Sequence, residues 1–229
     1  MRNPILLEIA VATFERALAA ERAGAHRLEL CESLEFGGLT PRLDLVRQVR
    51  STLRIPMHVL VRPRAGDFFY TNDEFAQMKS QITALRRENI QGIVTGCLLP
   101  DRTVNIERTR ELVALAVPLP VTFHRAFDET RNLSQALEDV IATGATRVLT
   151  SAGATSAAEA LSTLQQLIEQ ASSRLTILPG GGLHPGNCSR VARIPGVREL
   201  HTGLGTILSY NDPDTAKFES AVRACLSSL

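Results

Sequence analysis

Residues 27–41 read Arg27-Leu28-Glu29-Leu30-Cys31-Glu32-Ser33-Leu34-Glu35-Phe36-Gly37-Gly38-Leu39-Thr40-Pro41. This stretch begins as a short β-strand in which two leucines alternate with Arg27, Glu29 and Cys31. Side chains alternate between the two faces of a strand, so these three polar residues share one face. The chain then turns at a glycine pair and restarts as a helix at Thr40-Pro41, where Thr is the N-cap and Pro the first helical residue. The polar face therefore lies where a strand ends and a βα loop begins.

Short apolar strand patterns alternate with amphipathic helical patterns along the chain, and eight such pairs fit within its 229 residues. Capping-box patterns over Thr71-Glu74 and Ser156-Glu159 predict the starts of two of the helices. Strict alternation of this kind favours a parallel sheet. Eight units are typical of an α/β fold of the (β/α)8 TIM-barrel type, with a doubly wound open sheet as the alternative. No linker interrupts the series, so we expect a single domain over residues 1–229.

Composition excludes several classes of partner. The net charge is +1, aromatic residues make up 4% and Trp is absent, so neither a nucleic-acid surface nor a base-stacking platform is indicated. No apolar run approaches the roughly 18 residues of a membrane span. The amino-terminal segment has no signal-peptide pattern, and the four cysteines form no Cys-x-x-Cys motif. These features predict a cytoplasmic protein with reduced thiols.

Strand alternation places ionisable groups on the inner face of the predicted barrel. An inward charge is costly unless it is paired or hydrogen-bonded, whereas barrel interiors are normally filled by branched apolar residues. One explanation is an ion network with pairs such as Arg27-Glu29 and Glu199-Arg62, and the other is a functional site. The number of strands involved favours a site. The inward residues are Glu8, Glu29, Cys31, His58, Arg62, His124, Glu199 and His201.

The loops that follow strands 3, 5 and 7 add residues suited to anions. Guanidinium groups form paired hydrogen bonds with carboxylate or phosphate, and a glycine run allows close backbone approach to an anion. Phosphate sites in barrels often use the loops after strands 7 and 8. These loops carry Arg62, Arg64 and Asp67, then His124, Arg125 and Asp128, and finally Gly180, Gly181 and Gly182.

Several of these segments resemble the CutC family. The similar motifs are Arg27-Leu28-Glu29-Leu30-Cys31, Gly37-Gly38-Leu39-Thr40-Pro41, Arg62-Pro63-Arg64-Ala65-Gly66-Asp67-Phe68, Thr122-Phe123-His124-Arg125-Ala126-Phe127-Asp128 and Leu149-Thr150-Ser151. The resemblance extends from about Leu6 to His201. It implies a TIM-type barrel in a cytoplasmic protein that is linked to copper homeostasis and forms a homo-oligomer, a dimer or a tetramer.

The resemblance also implies Cu(I) binding by two cysteines near the ends of strands 1 and 2. Cys31 matches the second position, whereas Ala10 stands at the first. Cu(I) prefers thiolate and thioether donors. We therefore assign the metal role to Cys31 and take copper as the expected cofactor.

Three functions follow from these assignments, and the sequence leaves the choice open. The first is copper handling through Cys31. The second is an enzyme that acts on a small anionic substrate, phosphorylated or carboxylated, and the third is a barrel whose former site is kept only as structure.

An imidazole near a carboxylate can act as an acid–base pair, so the candidate catalytic residues are Glu8, Glu29, His124 and Asp128. The candidate substrate-binding residues are His58, Arg62, Arg64, Asp67, Arg125, Thr150, Ser151, Gly181, Gly182 and His201.

Overall fold

The computed structural model describes residues 4–229, and eight parallel β-strands form the centre of this range. The strands are β1 (Leu6–Val11), β2 (Arg27–Leu30), β3 (Met57–Leu60), β4 (Gly92–Thr95), β5 (Val121–Phe123), β6 (Arg147–Thr150), β7 (Thr176–Pro179) and β8 (Glu199–Thr202). They pair in the order β7-β6-β5-β4-β3-β2-β1-β8. A bridge between Gly180 and His201 joins the two ends, so the sheet closes almost completely into a barrel. The prediction of a (β/α)8 TIM-type barrel is confirmed. Residues 1–3, where the predicted domain 1–229 begins, lie outside the described residues.

Within residues 4–229, eight α-helices alternate with the strands. They are α1 (Phe14–Ala23), α2 (Leu43–Thr52), α3 (Asn72–Leu85), α4 (Ile106–Ala116), α5 (Leu133–Thr143), α6 (Leu161–Ala171), α7 (Cys188–Ala192) and α8 (Thr215–Ser227). Their apolar faces and the outer faces of the strands form one large buried cluster. None of the helices in this range combines the length and the apolar character of a membrane-spanning segment.

The two predicted capping boxes have different outcomes. Thr71 caps α3 as predicted, because its hydroxyl accepts a hydrogen bond from the Glu74 backbone (3.2 Å) and the Glu74 carboxylate accepts one from the Thr71 backbone (2.7 Å). The second prediction is wrong. The Ser156 hydroxyl accepts from the backbone of Ala158 rather than Glu159, and a 3₁₀ turn separates it from α6.

The predicted helix start at Thr40-Pro41 is also wrong, since α2 begins at Leu43. The Thr40 hydroxyl accepts a hydrogen bond from the backbone N–H of Arg62 (2.9 Å) and donates to the backbone carbonyl of the same residue (3.1 Å). Thr40 therefore holds the loop after β2 against the loop after β3 instead of capping a helix.

Strand register aligns polar residues inside the barrel. The β1–β2 register sets Glu8 beside Arg27, and the β1–β8 register sets Glu8 beside His201. The β2–β3 register sets Glu29 beside His58. Glu29 lies two residues nearer the carboxyl end of β2 than Arg27 does. In barrels of this type the βα loops at the carboxyl end surround the site. The fold therefore brings these side chains together under one rim.

Candidate functional site

A cavity of about 590 Å³ opens at the carboxyl end of the strands. Side chains that end β2, β3, β5 and β8 line it, together with the loops that follow β5, β7 and β8. The predicted site residues that line it are Glu29, Arg62, His124, Arg125, Asp128, Gly181, Gly182 and His201. The predicted residues outside the lining are Glu8, Cys31, His58, Arg64, Asp67, Thr150 and Ser151.

An ion network fills the barrel below the cavity, with pairs that differ from those expected from the sequence. Arg27 forms ion pairs with both Glu8 and Glu199, instead of with Glu29. Arg147, which the sequence analysis did not single out, lies 3.8 Å from Glu199. Arg62 does not reach Glu199, because its guanidinium faces the loop carbonyls at the rim.

Glu8 is the centre of this network. Its Oε1 lies 2.7 Å from Nδ1 of His201, while Oε2 accepts from Arg27. Burial opposes ionisation of Glu8, but the His201 hydrogen bond and the Arg27 charge outweigh it, and the pKa lies well below the ordinary value. Burial alone would lower the pKa of His201, yet the charges of Glu29 and Glu8 raise it. Glu8 is therefore an ionised group that orients the His201 ring.

Glu29 stands apart from the network although it is only 6% exposed. Its Oε2 has no hydrogen-bond partner among residues 4–229. Burial is the main reason that its pKa rises to about 7, with repulsion from Glu8 adding to the effect. A buried carboxylate oxygen without a donor is costly, so this one is available to a ligand in the cavity.

His124 offers a second unpartnered buried atom. Its Nδ1 accepts a hydrogen bond from the Ala126 backbone (3.3 Å), so in the neutral ring Nε2 carries the proton. That Nε2 has no partner in the described part of the chain. Burial and the nearby Arg62 charge lower the pKa of His124 to about 3, which keeps the ring neutral. His124 therefore presents a neutral N–H donor to the cavity.

His58 belongs to the interior below the cavity. Both of its ring nitrogens lie 3.2 Å from Arg147, and burial lowers its pKa to about 3. A Cβ at Gly92 would come within 2.6 Å of the His58 ring, so the glycine provides the space for it. The contacts of His58 are thus structural.

Asp128 organises the loops after β5 and β6. Its carboxylate accepts hydrogen bonds from the Thr150 hydroxyl, the Ser151 backbone and hydroxyl, and the Gly153 backbone. It also accepts from Nε of Arg125 at 2.9 Å. Since these partners engage both of its oxygens, Asp128 positions Arg125 and leaves little capacity to bind a substrate itself. The hydrogen bonds from Thr150 and Ser151 fix the position of the Asp128 carboxylate.

The arginines after β3 point in different directions. Arg62 is buried and donates to the carbonyls of Gly38 (3.1 Å) and Gly66 (2.7 Å), which ties two loops together at the cavity wall. Arg64 instead binds Asp67 (2.8 Å) and Glu74 (2.6 Å) at the start of α3. The structure therefore leaves Arg64 and Asp67 outside the cavity.

Cys31 is fully buried among Leu34, Leu60 and Val94. Its Sγ lies 3.5 Å from the Val11 carbonyl, and burial raises its pKa well above the ordinary value. A thiol that resists ionisation is a poor metal ligand.

The other cysteines do not complete a copper site around Cys31. Ala10 occupies the cavity lining where a second thiol would be needed, and Cys188 contacts Ser228 (3.0 Å) between α7 and α8. Cu(I) requires several soft donors. The residues present do not fit a Cu(I) site at Cys31.

The loop after β8 contributes cavity residues that the sequence analysis missed: Leu204, Gly205, Thr206 and Tyr210. A Cβ at Gly205 would lie 2.2 Å from the Tyr210 ring, so glycine is needed for the loop to fold over itself. The signal was present as the two glycines of the segment Thr202-Gly203-Leu204-Gly205, because glycine often marks a close backbone approach.

Comparisons with known proteins agree on one family. The model of the CutC family matches residues 5–206. A Chromobacterium violaceum protein named CutC is 45% identical over 196 residues, 86% of this chain and 79% of its own length. The human copper homeostasis protein cutC homolog is 41% identical over 199 residues, 87% of this chain and 73% of its own.

A solved structure agrees with these sequence matches. The crystal structure of a Streptococcus agalactiae protein, under the name copper homeostasis protein CutC, superposes with a TM-score of 0.82. It is 27% identical to this chain and covers 87% of it, with 98% of the streptococcal chain matched. The chain described here belongs to the CutC family.

Proposed function

We propose that this protein is an enzyme that binds a small anionic molecule, phosphorylated or carboxylated, in the mouth of the barrel. The observation that carries the proposal is a set of three buried polar atoms without partners in residues 4–229, Oε2 of Glu29, Nε of Arg62 and Nε2 of His124, in residues that line one cavity. Leaving such atoms unsatisfied costs about 1–3 kcal/mol each. Unsatisfied polar groups in a cleft therefore favour a ligand-binding role over a purely structural one.

Arg125 and the glycine loop after β7 supply the anion-binding part. Asp128 and the Ser151 hydroxyl hold Nε and Nη2 of Arg125, at 2.9 and 3.0 Å, which leaves Nη1 without a partner in the described chain. The backbone N–H group of Gly182 donates to no other residue of the range 4–229, whereas the Gly180–His201 bridge directs the N–H of Gly181 at the His201 carbonyl. A fixed guanidinium beside a free backbone N–H group is suited to phosphate or carboxylate.

His124 supplies the reactive part. A neutral imidazole N–H in a buried site can donate a hydrogen bond to a carbonyl or phosphoryl oxygen that gains negative charge during a reaction. His124 is held in that state by the Ala126 hydrogen bond and by its lowered pKa of about 3. We assign His124 as the catalytic donor and Arg125 as the residue that binds the anionic group.

The test is a calorimetric titration with inorganic phosphate of the wild type, Arg125→Gln and Arg131→Gln. Arg131 is an exposed arginine on the same loop and is the matched control. We expect Arg125→Gln to weaken phosphate binding at least about tenfold, since a charge-assisted contact contributes about 1.5–3 kcal/mol. Equal affinity in all three proteins, with folding verified by circular dichroism, would remove the proposal.

Copper binding through Cys31 is a second candidate, because the human and streptococcal relatives carry copper homeostasis in their names. The burial of Cys31 and the alanine at position 10 argue against it. Anaerobic Cu(I) titration against a competing chelator distinguishes the two candidates. Tight one-to-one binding that is lost in Cys31→Ser but kept in Cys97→Ser would support copper handling, and equal weak binding in all three proteins would exclude this site. A cytoplasmic location and assembly into a dimer or tetramer stay predictions.

A further inference from the structure

We infer that a divalent metal ion of the manganese or zinc class binds between Glu29 and His201, with Glu8 behind the His201 ring. The inference goes beyond the anion site proposed above and does not depend on it. It rests on ligand geometry, on unpartnered donor atoms and on the charged residues inside the barrel.

The geometry brings three donors together. Glu8, Glu29 and His201 each offer one ligand atom, and these atoms lie within 4.8 Å of one another. Oxygen and nitrogen ligands about 2.0–2.2 Å from one ion are at most about 4.4 Å apart. Because Glu8 already binds Arg27 and Nδ1 of His201, the two residues whose side chains would rotate to coordinate the ion are Glu29 and His201.

The His201 ring is oriented as in metal sites. Its Nδ1 lies 2.7 Å from Oε1 of Glu8, which in turn is held by Arg27. Its other ring nitrogen, Nε2, bonds to no residue of the described range, and His201 lines the cavity. A histidine that binds a metal commonly donates its second ring N–H to a carboxylate, which fixes the ring. Glu8 has that position here.

Glu29 supplies the second, independent observation. It is 6% exposed, and its Oε2 has no hydrogen-bond partner among residues 4–229. Glu29 lies on β2 and lines the same cavity as His201. A buried carboxylate with an unused oxygen and an imidazole with an unused nitrogen in the same cavity can together act as metal ligands.

The charged residues inside the barrel also favour a bound cation. Three carboxylates lie together there, those of Glu8, Glu29 and Glu199. Arg27 contacts Glu8 and Glu199, and Arg147 lies 3.8 Å from Glu199. In the part of the chain that the structure describes, no lysine or arginine forms a salt bridge with Glu29. Of these three carboxylates, Glu29 is therefore the one without a guanidinium partner, which leaves it free to bind a cation.

The donor set selects the class of metal. Carboxylate oxygens suit manganese and imidazole nitrogen suits zinc, whereas Cu(I) prefers sulfur. This site contains no sulfur ligand and is separate from Cys31. A divalent ion here would also attract an anionic ligand into the same cavity.

The test uses the full chain after treatment with a chelator, and it titrates MnCl2 and ZnCl2 separately in phosphate-free buffer. Calorimetry measures the binding of both ions. The loss of the electron paramagnetic resonance signal of free Mn²⁺ provides a second readout. We expect one ion per chain, with affinity at least tenfold lower in Glu29→Gln and unchanged in Glu35→Gln, an exposed glutamate on the following loop. Because the Glu29 carboxylate has no partner to lose, the amide should leave the fold intact.

Anomalous diffraction from wild-type crystals grown with Mn²⁺ covers the case in which a variant fails to fold. A peak beside both Glu29 and His201 supports the site. Equal binding by Glu29→Gln and Glu35→Gln, or a peak only elsewhere, overturns it. Phosphate binding without metal binding would overturn this inference alone and leave the anion site intact.

Discussion

Glu8 and His201 are 193 residues apart in the sequence, yet Oε1 of Glu8 lies 2.7 Å from Nδ1 of His201. The contact exists because β1 pairs with β8 and the register sets these two residues side by side. Arg27, the neighbour of Glu8 on the other side, completes a row across three strands. The same carboxylate therefore joins β1 to both neighbouring strands and orients a cavity residue.

We expect Glu8→Gln to lower the free energy of unfolding by up to about 3–5 kcal/mol, since the buried Arg27 guanidinium then keeps only Glu199 as a charged partner. Urea denaturation followed by circular dichroism at pH 7 measures the change. Glu111→Gln is the control, because Glu111 pairs with Lys79 on the surface with half of its side chain exposed, and it should change stability by at most about 1 kcal/mol. Similar losses in the two variants would contradict the role given to Glu8.

The glycine at position 181 allows the anion-binding contact to be tested separately from stability. Its φ is +93°, and an added Cβ would lie 3.0 Å from Cζ of Arg125. Gly144 has a similar φ of +86°, but it lies at the end of α5, away from the cavity. We expect both Gly→Ala variants to lose about 1–2 kcal/mol of stability from backbone strain, measured by thermal unfolding.

Only Gly181→Ala should also weaken phosphate binding, because its methyl group displaces the Arg125 guanidinium. The same calorimetric titration measures this in both variants. Phosphate affinity that falls equally in Gly181→Ala and Gly144→Ala would mean that strain, and not the contact with Arg125, affects binding.

His124 predicts a pH dependence of stability. Its pKa is about 3 in the folded chain and 6.5 for an unperturbed histidine, so the unfolded chain takes up a proton that the folded chain refuses. The stability from this group is complete above about pH 6.5 and is lost as the pH falls towards 3. Urea denaturation between pH 7 and pH 4 should show that the free energy of unfolding falls with pH. The fall should be smaller in His124→Gln by up to about 1.4 kcal/mol per pH unit. An equal fall of the free energy of unfolding in the wild type and in His124→Gln would contradict a neutral, buried His124 ring.

The sequence predicted the barrel because strand period and helix period are local properties that single segments display. The inner orientation of Glu8, Glu29 and His201 follows from the same alternation of side chains. The pairing of Arg27 with Glu8 and Glu199 could not be read in this way, because it depends on the register between strands that are far apart in the chain.

Loop contacts were the least predictable part. Arg64 and Asp67 follow β3 in the same loop as Arg62, yet Arg64 turns to Glu74 in the capping box of α3. Thr40 has the residue type of an N-cap and instead bonds to the backbone of Arg62. In both cases a partner from a different element competed with the local pattern, and only the folded chain shows which contact forms.

We expect the loops after β5 and β7 to hold an anion at the mouth of the barrel. The most direct measurement is a two-dimensional ¹H–¹⁵N NMR titration with inorganic phosphate. Saturable shifts centred on the backbone amides of Gly181 and Gly182 and on the Arg125 side chain are the predicted result. No shift at these groups at high phosphate, or shifts only at amides distant from the cavity, would contradict an anion site between these loops.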